Sequence, residues 1–185
     1  MSKTEDLKTR FKKEIQPALQ KTLGMKNIME VPEVKKITVN VGLGTYLKKH
    51  SKDYASVAEN LGRMTGQKAI LNRANKSVSN FKVREGDIVG TSVTLRGKRM
   101  YDFMDKLVNV VFPRVRDFRG ISPKAFDRNG NYNIGFDEHT VFPEINPEDI
   151  MKLHGVQISI TTSANDDKAG FELLKAIGFP FKKLT

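Results

Sequence analysis

The feature that most constrains the fold is an alternation of apolar and polar residues with a period of two. It is clearest in Val89–Leu95, where two valines, a threonine and a leucine alternate with Gly90, Ser92 and Thr94. The segment Val34–Val41 alternates in the same way. A period of two directs successive side chains to opposite faces of a strand. Both segments are therefore predicted to be strands with one buried face and one polar face.

Other segments predict a mixture of strands and helices. A further strand is expected at Val156–Thr162, and a short one at Phe81–Val83 is joined to Val89–Leu95 across Glu85–Asp87. Apolar residues at helical spacing predict four helices, and Pro17 is expected to kink or shorten the first. These helices begin near Thr4, span Asp53–Met64, run from Met100 to Val111, and extend from about Asp166 to Gly178. Because strands and helices do not alternate strictly, we expect an α+β fold with helices packed on one face of a largely antiparallel sheet.

Residues 114–150 differ from the rest of the chain because they are rich in Gly, Pro, Asn and Asp. The pair Asn129-Gly130 predicts a hairpin tip within this long irregular segment. Such a segment is usually a binding element or is poorly ordered when alone. The sequence has no internal repeat and no break in composition, so residues 1–185 are expected to form a single domain.

The charge of the chain indicates a polyanionic partner. Lys and Arg number 32 against 21 Asp and Glu, which gives a net charge of +11. A surplus of this size attracts nucleic acid first and an anionic membrane surface second, although a merely soluble basic protein is the simpler alternative. The basic residues concentrate in Gly66–Gly86 and Arg96–Arg119, whereas Asp137–Asp149 carries only acidic charges. We therefore expect one surface for a polyanion and a separate acidic segment.

Several classes of site are not expected from this sequence. There is no cysteine, so disulfides, thiolate metal sites and cysteine nucleophiles are excluded. Gly42 and Gly44 follow a strand, but Leu47 stands where a dinucleotide fingerprint needs its third glycine. The three histidines lack the spacing of a zinc site. No catalytic residue, metal or cofactor is therefore expected, and the chain is interpreted as not an enzyme.

The sequence also carries no sign of a membrane or secretory protein. No apolar run approaches the roughly 20 residues that span a bilayer. The first residues carry charges of both signs without an apolar core, which does not fit a secretory signal. A cytoplasmic location is expected.

The polar faces of the predicted strands offer a surface for RNA. Thr38 and Asn40 on one strand, with Ser92, Thr94 and Arg96 on another, can share one side of a sheet. Short hydroxyl and amide groups suit the shallow minor groove of A-form RNA. The alternative is a solvated strand face with no ligand, which β-propensity allows. The flanking Lys and Arg favour RNA.

The basic loop before Val89–Leu95 contains one aromatic residue, Phe81. We expect Phe81 to anchor the loop to the core rather than to stack on a base. The Met and aromatic residues around Phe103 have helical spacing and are expected to lie in the core.

Eight motifs together resemble the bacterial large-subunit ribosomal protein five family, which binds 5S rRNA. In order and spacing the resemblance covers nearly the whole chain. The motifs lie at Val31–Gly44, Thr65–Lys68, Lys76–Gly86, Ser92–Gly97, Pro113–Gly120, Gly130–Gly135, Phe142–Ile145 and Gly178–Phe181.

The resemblance implies a structural role in the central protuberance, where the protein would join 5S rRNA to the large subunit as a monomer beside other rRNA and proteins. It implies contacts with P-site tRNA and with small-subunit ribosomal protein thirteen across an intersubunit bridge. The residues implied for 5S rRNA are Thr38, Asn40, Gln67, Lys68, Ser92, Thr94 and Arg96. The loop implied to face tRNA contributes Arg73, Lys76, Ser77, Ser79, Asn80, Lys82 and Arg84. The residues implied for the bridge are Arg114, Arg116, Asp137, Glu138 and Glu144.

One motif departs from the family pattern. Members commonly have Glu-Gln, preceded by a basic residue, before Phe-Pro-Glu-Ile, whereas this chain has Asp137-Glu138-His139, in a stretch expected to be solvated. A contact made by that basic residue is not expected here, and attraction to a basic partner protein is strengthened. A DNA-binding nucleoid protein and an RNA-processing enzyme are the alternatives from other classes. The first predicts comparable affinity for duplex DNA, and the second predicts turnover of an RNA substrate.

Overall fold

The computed structural model describes residues 6–44, 54–145 and 153–182. These residues form a five-stranded antiparallel sheet with the strand order β2-β3-β1-β5-β4. The strands are β1 Val34–Gly42, β2 Ile70–Arg73, β3 Ile88–Leu95, β4 Tyr132–Phe136 and β5 Val156–Thr162. The helices are α1 Leu7–Arg10, α2 Gln16–Leu23, α3 Tyr54–Thr65, α4 Gly97–Lys106, α5 Phe112–Arg114 and α6 Asp167–Ile177. The α+β prediction is confirmed.

The alternating segments form the strands that the sequence predicts. In β1, Val39 and Val41 are fully buried, whereas Thr38 and Asn40 on the opposite face are half-buried. Strands β3 and β5 also lie where their sequences predict them. Strand β4 was not predicted, although Tyr132, Ile134 and Phe136 alternate with polar or small residues and are buried.

Two π-helical turns extend the helices, and each ends two residues before a proline. Phe11–Ile15 lies between α1 and α2 and precedes Pro17, while Leu107–Val111 lies between α4 and α5 and precedes Pro113. A proline ring collides with an α-helical carbonyl four residues earlier, and a π-helical turn widens the helix at that place. Pro17 therefore does not shorten the first helical segment, which continues to Leu23.

The chain divides into two compact units. The first unit consists of Met1–Ile37, Leu95–Ile134 and Ser159–Thr185, and the second of Thr38–Thr94 and Gly135–Ile158. Strands β1, β3, β4 and β5 contribute residues to both units. The single domain expected from the sequence stays a prediction.

The first unit holds the beginning of the irregular segment in place by backbone contacts and aromatic packing. Ile121 forms an isolated bridge with Phe181, and Asp127 accepts hydrogen bonds from the backbone amides of Asn129 and Asn131 at 2.9 and 3.0 Å. Tyr132 packs against Phe126 and Phe181, with ring centroids 4.7 and 5.6 Å away. The turn at Asn129-Gly130 lies where the sequence predicts a hairpin tip, since Phe126 and Tyr132 pair across it.

In the second unit, α3 buries Val57, Leu61 and Met64. Gly66, with φ +66°, terminates this helix in the left-handed conformation that glycine adopts without strain. The chain then enters β2 at the edge of the sheet, next to β3. No helix among the described residues is both long and apolar enough to cross a membrane.

Candidate nucleic-acid interface

A polar sheet face lies in the second unit, opposite the buried faces of β1 and β3. Val93 and Leu95 fill the buried side of β3, so Ser92 and Thr94 point to the other side. Thr94 is exposed, and Ser92 is half-buried. We define the polar sheet face by Thr38, Asn40, Asn72, Gly90, Ser92 and Thr94.

At the centre of this face, Gly90 leaves a gap between two amide side chains. Gly90 is paired directly with Asn72 on β2. A Cβ atom built on Gly90 would lie 3.9 Å from Asn40 Oδ1, 3.9 Å from Asn72 Nδ2 and 3.1 Å from the Val41 carbonyl oxygen. The two asparagines therefore flank a strip of bare backbone, to which a ribose or a base edge can come close.

Hydrogen bonds fix the amides and hydroxyls beside this gap. Asn72 Nδ2 donates to Ser92 Oγ at 3.1 Å, and Ser92 Oγ lies 3.3 Å from Asn72 Oδ1. Gln67 Nε2 donates to the Thr94 carbonyl oxygen at 3.3 Å. Ile70, paired with Ser92, adds an apolar side chain that is 67% exposed. The face is thus a preorganised array of donors and acceptors with one apolar edge.

The structure brings together most of the residues predicted for 5S rRNA. Thr38, Asn40, Gln67, Ser92 and Thr94 all belong to the second unit, as does the exposed Lys68. Arg96, also exposed, belongs to the first unit and directly precedes α4.

Asn72 and Gly90 were not predicted as residues of this site. Gly90 alternates with Ser92 on the polar side of β3, which was a usable signal. Asn72 had no such signal, because its position depends on the register between β2 and β3.

Gln67 and Lys68 also line a groove of about 610 Å³ beside α3. Tyr54, Ala58 and Leu71 contribute apolar surface to its walls. The groove is part of the second unit and lies next to the polar sheet face in sequence, because Gln67 belongs to both.

Residues 74–87, the basic hairpin, continue β2 and β3 beyond the sheet. The amide of Ala74 donates to the Asp87 carbonyl at 2.8 Å, and the amide of Gly86 donates back to the Ala74 carbonyl at 2.9 Å. Nearer the tip, Val78 and Val83 exchange two backbone hydrogen bonds of 2.9 and 3.2 Å. The strand register shifts between Asn72 and Arg73, where the hairpin leaves the sheet.

The tip of the basic hairpin corrects two expectations. Ser79–Phe81 is a 3-10 turn, and Lys82 follows it with φ 54°, so the strand expected at Phe81–Val83 is wrong. A tight reversal needs a residue in the left-handed region, which strand geometry excludes. Phe81 is 70% exposed and therefore does not anchor the loop to the core.

The residues predicted to face tRNA are exposed, but some also support the hairpin. Ser77 Oγ accepts a hydrogen bond from the Glu85 amide at 2.9 Å, and Asp87 Oδ2 accepts one from the Arg84 amide at 2.8 Å. Asp87 thus turns one of the two acidic side chains toward the backbone. The exposed members of the predicted set are Arg73, Lys76, Ser77, Ser79, Asn80, Lys82 and Arg84.

The residues predicted for the bridge are divided between the two units. Arg114 and Arg116 are exposed at and after the end of α5 in the first unit. Asp137, Glu138 and Glu144 are exposed in the second unit, where Thr140 Oγ1 donates to Glu138 Oε2 at 3.2 Å.

His139 does not belong to this exposed acidic stretch. It is fully buried, and its ring stacks on that of His154 with centroids 3.9 Å apart. The amide of His154 donates to His139 Nδ1 at 3.4 Å. The interpretation of Asp137-Glu138-His139 as a solvated cluster is therefore wrong for the histidine. Within residues 6–44, 54–145 and 153–182, no group of three His, Cys, Asp or Glu side chains could hold a metal ion.

A five-stranded sheet with a polar face and a basic hairpin defines a class of basic α+β protein suited to a polyanionic partner. Comparison with known proteins gives the family. The model of ribosomal protein L5 matches residues 27–84, and the model of the C-terminus of the same ribosomal family matches residues 88–181. The chain belongs to the ribosomal protein L5 family.

Individual relatives match over nearly the whole chain. Large ribosomal subunit protein uL5 of Halothermothrix orenii is 51% identical over 177 residues, which cover 96% of this chain and 98% of that protein. The protein of the same name from Thermotoga maritima is 47% identical over 180 residues, with 96% of each chain covered. The resemblance predicted from the motifs is confirmed. The protein is a structural, non-enzymatic constituent of the large subunit of the cytoplasmic ribosome.

Proposed function

We propose that this protein binds 5S rRNA through the polar sheet face and helps to attach that RNA in the central protuberance of the large subunit. The observation that carries the proposal is the gap at Gly90 between Asn40 and Asn72. Amide groups can both donate to and accept from ribose hydroxyls and base edges. A shallow surface of this kind fits the wide minor groove of an RNA helix.

Charged side chains supply the part of the affinity that does not depend on sequence. Lys68 is exposed beside Gln67, and Arg96 is exposed after β3. Such cations bind phosphates and release counterions, so the affinity should fall as salt is added. The hydroxyls and amides then give the preference for one RNA over another.

Two further contacts complete the proposal. The basic hairpin meets P-site tRNA, because its exposed cations project beyond the sheet on a hydrogen-bonded support. Asp137, Glu138 and Glu144 face small-subunit ribosomal protein thirteen, since exposed carboxylates attract a basic partner. In this role residues 1–185 act as one domain and one monomer within the ribosome, beside other large-subunit rRNA and proteins.

A 5S rRNA binding titration tests the sheet-face assignment. Thr94→Ala is expected to weaken binding by about 1–3 kcal/mol if an RNA group loses its partner in a desolvated contact. The matched control is Thr22→Ala, which removes an exposed threonine hydroxyl from α2 in the first unit. This control should leave the affinity unchanged.

A duplex DNA competitor at equal salt separates 5S rRNA recognition from general attraction to polyanions. Strong preference for 5S rRNA supports the proposal. Comparable affinity for duplex DNA, or equal affinities for Thr94→Ala and Thr22→Ala, would contradict it.

A further inference from the structure

Phe81 is a large apolar side chain that the fold leaves in solvent. It is 70% exposed at the tip of the basic hairpin, and Val78 beside it is 41% exposed. Many proteins expose single apolar residues, so exposure alone has no meaning. The position of Phe81 is informative because the backbone holds the residue there.

The tip that carries Phe81 is closed by short-range hydrogen bonds. The amide of Lys82 donates to the Ser79 carbonyl at 3.0 Å, and the reciprocal pair between Val78 and Val83 lies directly below. Glu85 and Arg84 are tied further down by Ser77 Oγ and Asp87 Oδ2. A side chain presented on such a support loses little conformational entropy when it binds.

The charges around Phe81 identify the chemistry of its partner. Lys76, Lys82 and Arg84 are exposed within the hairpin, and Arg73 is exposed at its base. Because Asp87 bonds to a backbone amide, the acidic charge of the hairpin is partly turned inward. An aromatic ring among cations matches a nucleotide, whose base stacks on the ring while phosphates meet the cations.

We propose that Phe81 stacks on an open base face of the tRNA that the basic hairpin meets. This inference rests on the proposed tRNA contact and adds a specific role to it. The base must present an uncovered face, as at the end of a stacked helix or in an unpaired loop. Lys82 and Arg84 hold flanking phosphates and set the distance of approach.

The test uses ribosomes that carry the variant protein and measures the dissociation rate of tRNA from the P site. Phe81→Leu keeps an apolar side chain but removes the ring, so dissociation should become about tenfold faster. Phe81→Tyr keeps the ring and should dissociate at nearly the wild-type rate. Met29→Leu, at a residue that is 84% exposed in the first unit, is the control for a change of exposed apolar surface. Unchanged melting temperatures of the isolated variants confirm that folding is intact.

Lys82→Gln separates failure of this inference from failure of the tRNA contact. If Lys82→Gln accelerates dissociation while Phe81→Leu does not, stacking is overturned and the tRNA contact stands. If neither variant has an effect, the contact and the inference both fail. Equal losses for Phe81→Leu and Phe81→Tyr would also overturn stacking, because the ring would then not matter.

A photo-crosslinking amino acid in place of Phe81 identifies the partner directly. With p-benzoylphenylalanine at this position, the crosslink should join the protein to tRNA. A crosslink to another protein would overturn the inference and show that Phe81 contributes to a protein contact.

Discussion

Gly90 has no side chain at the centre of the polar sheet face. A methyl group there would lie 3.1 Å from the Val41 carbonyl oxygen and between Asn40 and Asn72. Its effect on the fold should be small, because a carbonyl can shift by a few tenths of an ångström. Its effect on a ligand should be larger, since the methyl group fills the gap.

We therefore expect Gly90→Ala to weaken 5S rRNA binding about tenfold or more, with only a small fall in melting temperature. Gly135→Ala is the matched control, because Gly135 is also in a strand of the second unit and its added Cβ would meet nothing within 4 Å. Binding titrations and thermal unfolding of both variants provide the measurement. Equal affinities would mean that RNA does not approach the Gly90 gap.

Tyr132 connects the stability of the first unit to alkaline pH. Its hydroxyl donates to the Ser122 carbonyl at 2.6 Å, and burial raises the pKa of Tyr132 from 10.0 to about 12. The folded state therefore retains a proton that the unfolded state releases above pH 10. The stabilisation is complete below pH 10 and is lost as the pH rises toward 12.

The free energy of unfolding should accordingly fall by about 1–2 kcal/mol more in the wild type than in Tyr132→Phe over this range. Denaturant unfolding at several pH values measures the difference. Subtracting the phenylalanine variant removes the contribution of lysines and of Tyr101, whose pKa burial also raises. Parallel pH profiles for the two proteins would show that Tyr132 does not carry this dependence.

At the scale of elements, two helical glycines have opposite roles. Gly170 in α6 lies against Gly130, and a Cβ on Gly170 would come within 2.6 Å of the Gly130 carbonyl oxygen. Gly62 in α3 has only the Gln67 carbonyl oxygen, 3.6 Å from its Cβ position, which is an ordinary contact. The backbone thus requires glycine at 170 and not at 62.

Gly170→Ala should destabilise the protein by about 1–3 kcal/mol, because backbone atoms must move apart. Gly62→Ala should stabilise it by about 0.5–1 kcal/mol, because alanine lowers the conformational entropy of the unfolded chain and favours a helix. Chemical denaturation measures both changes. The same sign for the two substitutions would contradict this packing.

The sequence predicts elements well where the signal is local. Val34–Gly42, Ile88–Leu95 and Asp167–Ile177 follow from periodicity and terminal residues that lie within each segment. The pairing of Asn72 with Gly90 depends on strand register, and the stacking of His139 on His154 depends on contacts between distant residues. A single sequence does not encode such contacts locally, so these parts of the site required the structure.

Phe81 shows a different limit of sequence reasoning. A lone aromatic in a loop usually packs against the core, and that expectation failed because a four-residue reversal at Ser79–Lys82 turns the ring outward. The left-handed Lys82 has no sequence signature, since glycine or asparagine is the usual residue there.

For the whole molecule, the charges of opposite sign should act on different partners. The net charge of +11 favours RNA, whereas Asp137 and Glu138 are exposed in a segment without basic residues. Neutralising these two carboxylates with Asp137→Asn and Glu138→Gln should leave 5S rRNA affinity unchanged or slightly raised. The same double variant should weaken association of the ribosomal subunits, because attraction to a basic partner protein is lost.

Two measurements on the double variant check this separation. A 5S rRNA titration gives the first affinity, and subunit association as a function of magnesium concentration gives the second. A clear loss of 5S rRNA affinity would place the acidic residues near that RNA. Unchanged subunit association would remove them from the proposed bridge.

The continuity of β2, the basic hairpin and β3 has a mechanical consequence. One hydrogen-bonded ribbon carries both the Asn72 and Gly90 gap and the tip at Phe81, with a shift of register between them. If 5S rRNA and tRNA hold the two ends of this ribbon, a pull by moving tRNA puts tension on the same strands that grip 5S rRNA. The register shift after Asn72 is then the place where the ribbon can bend first and limit the strain that reaches the sheet.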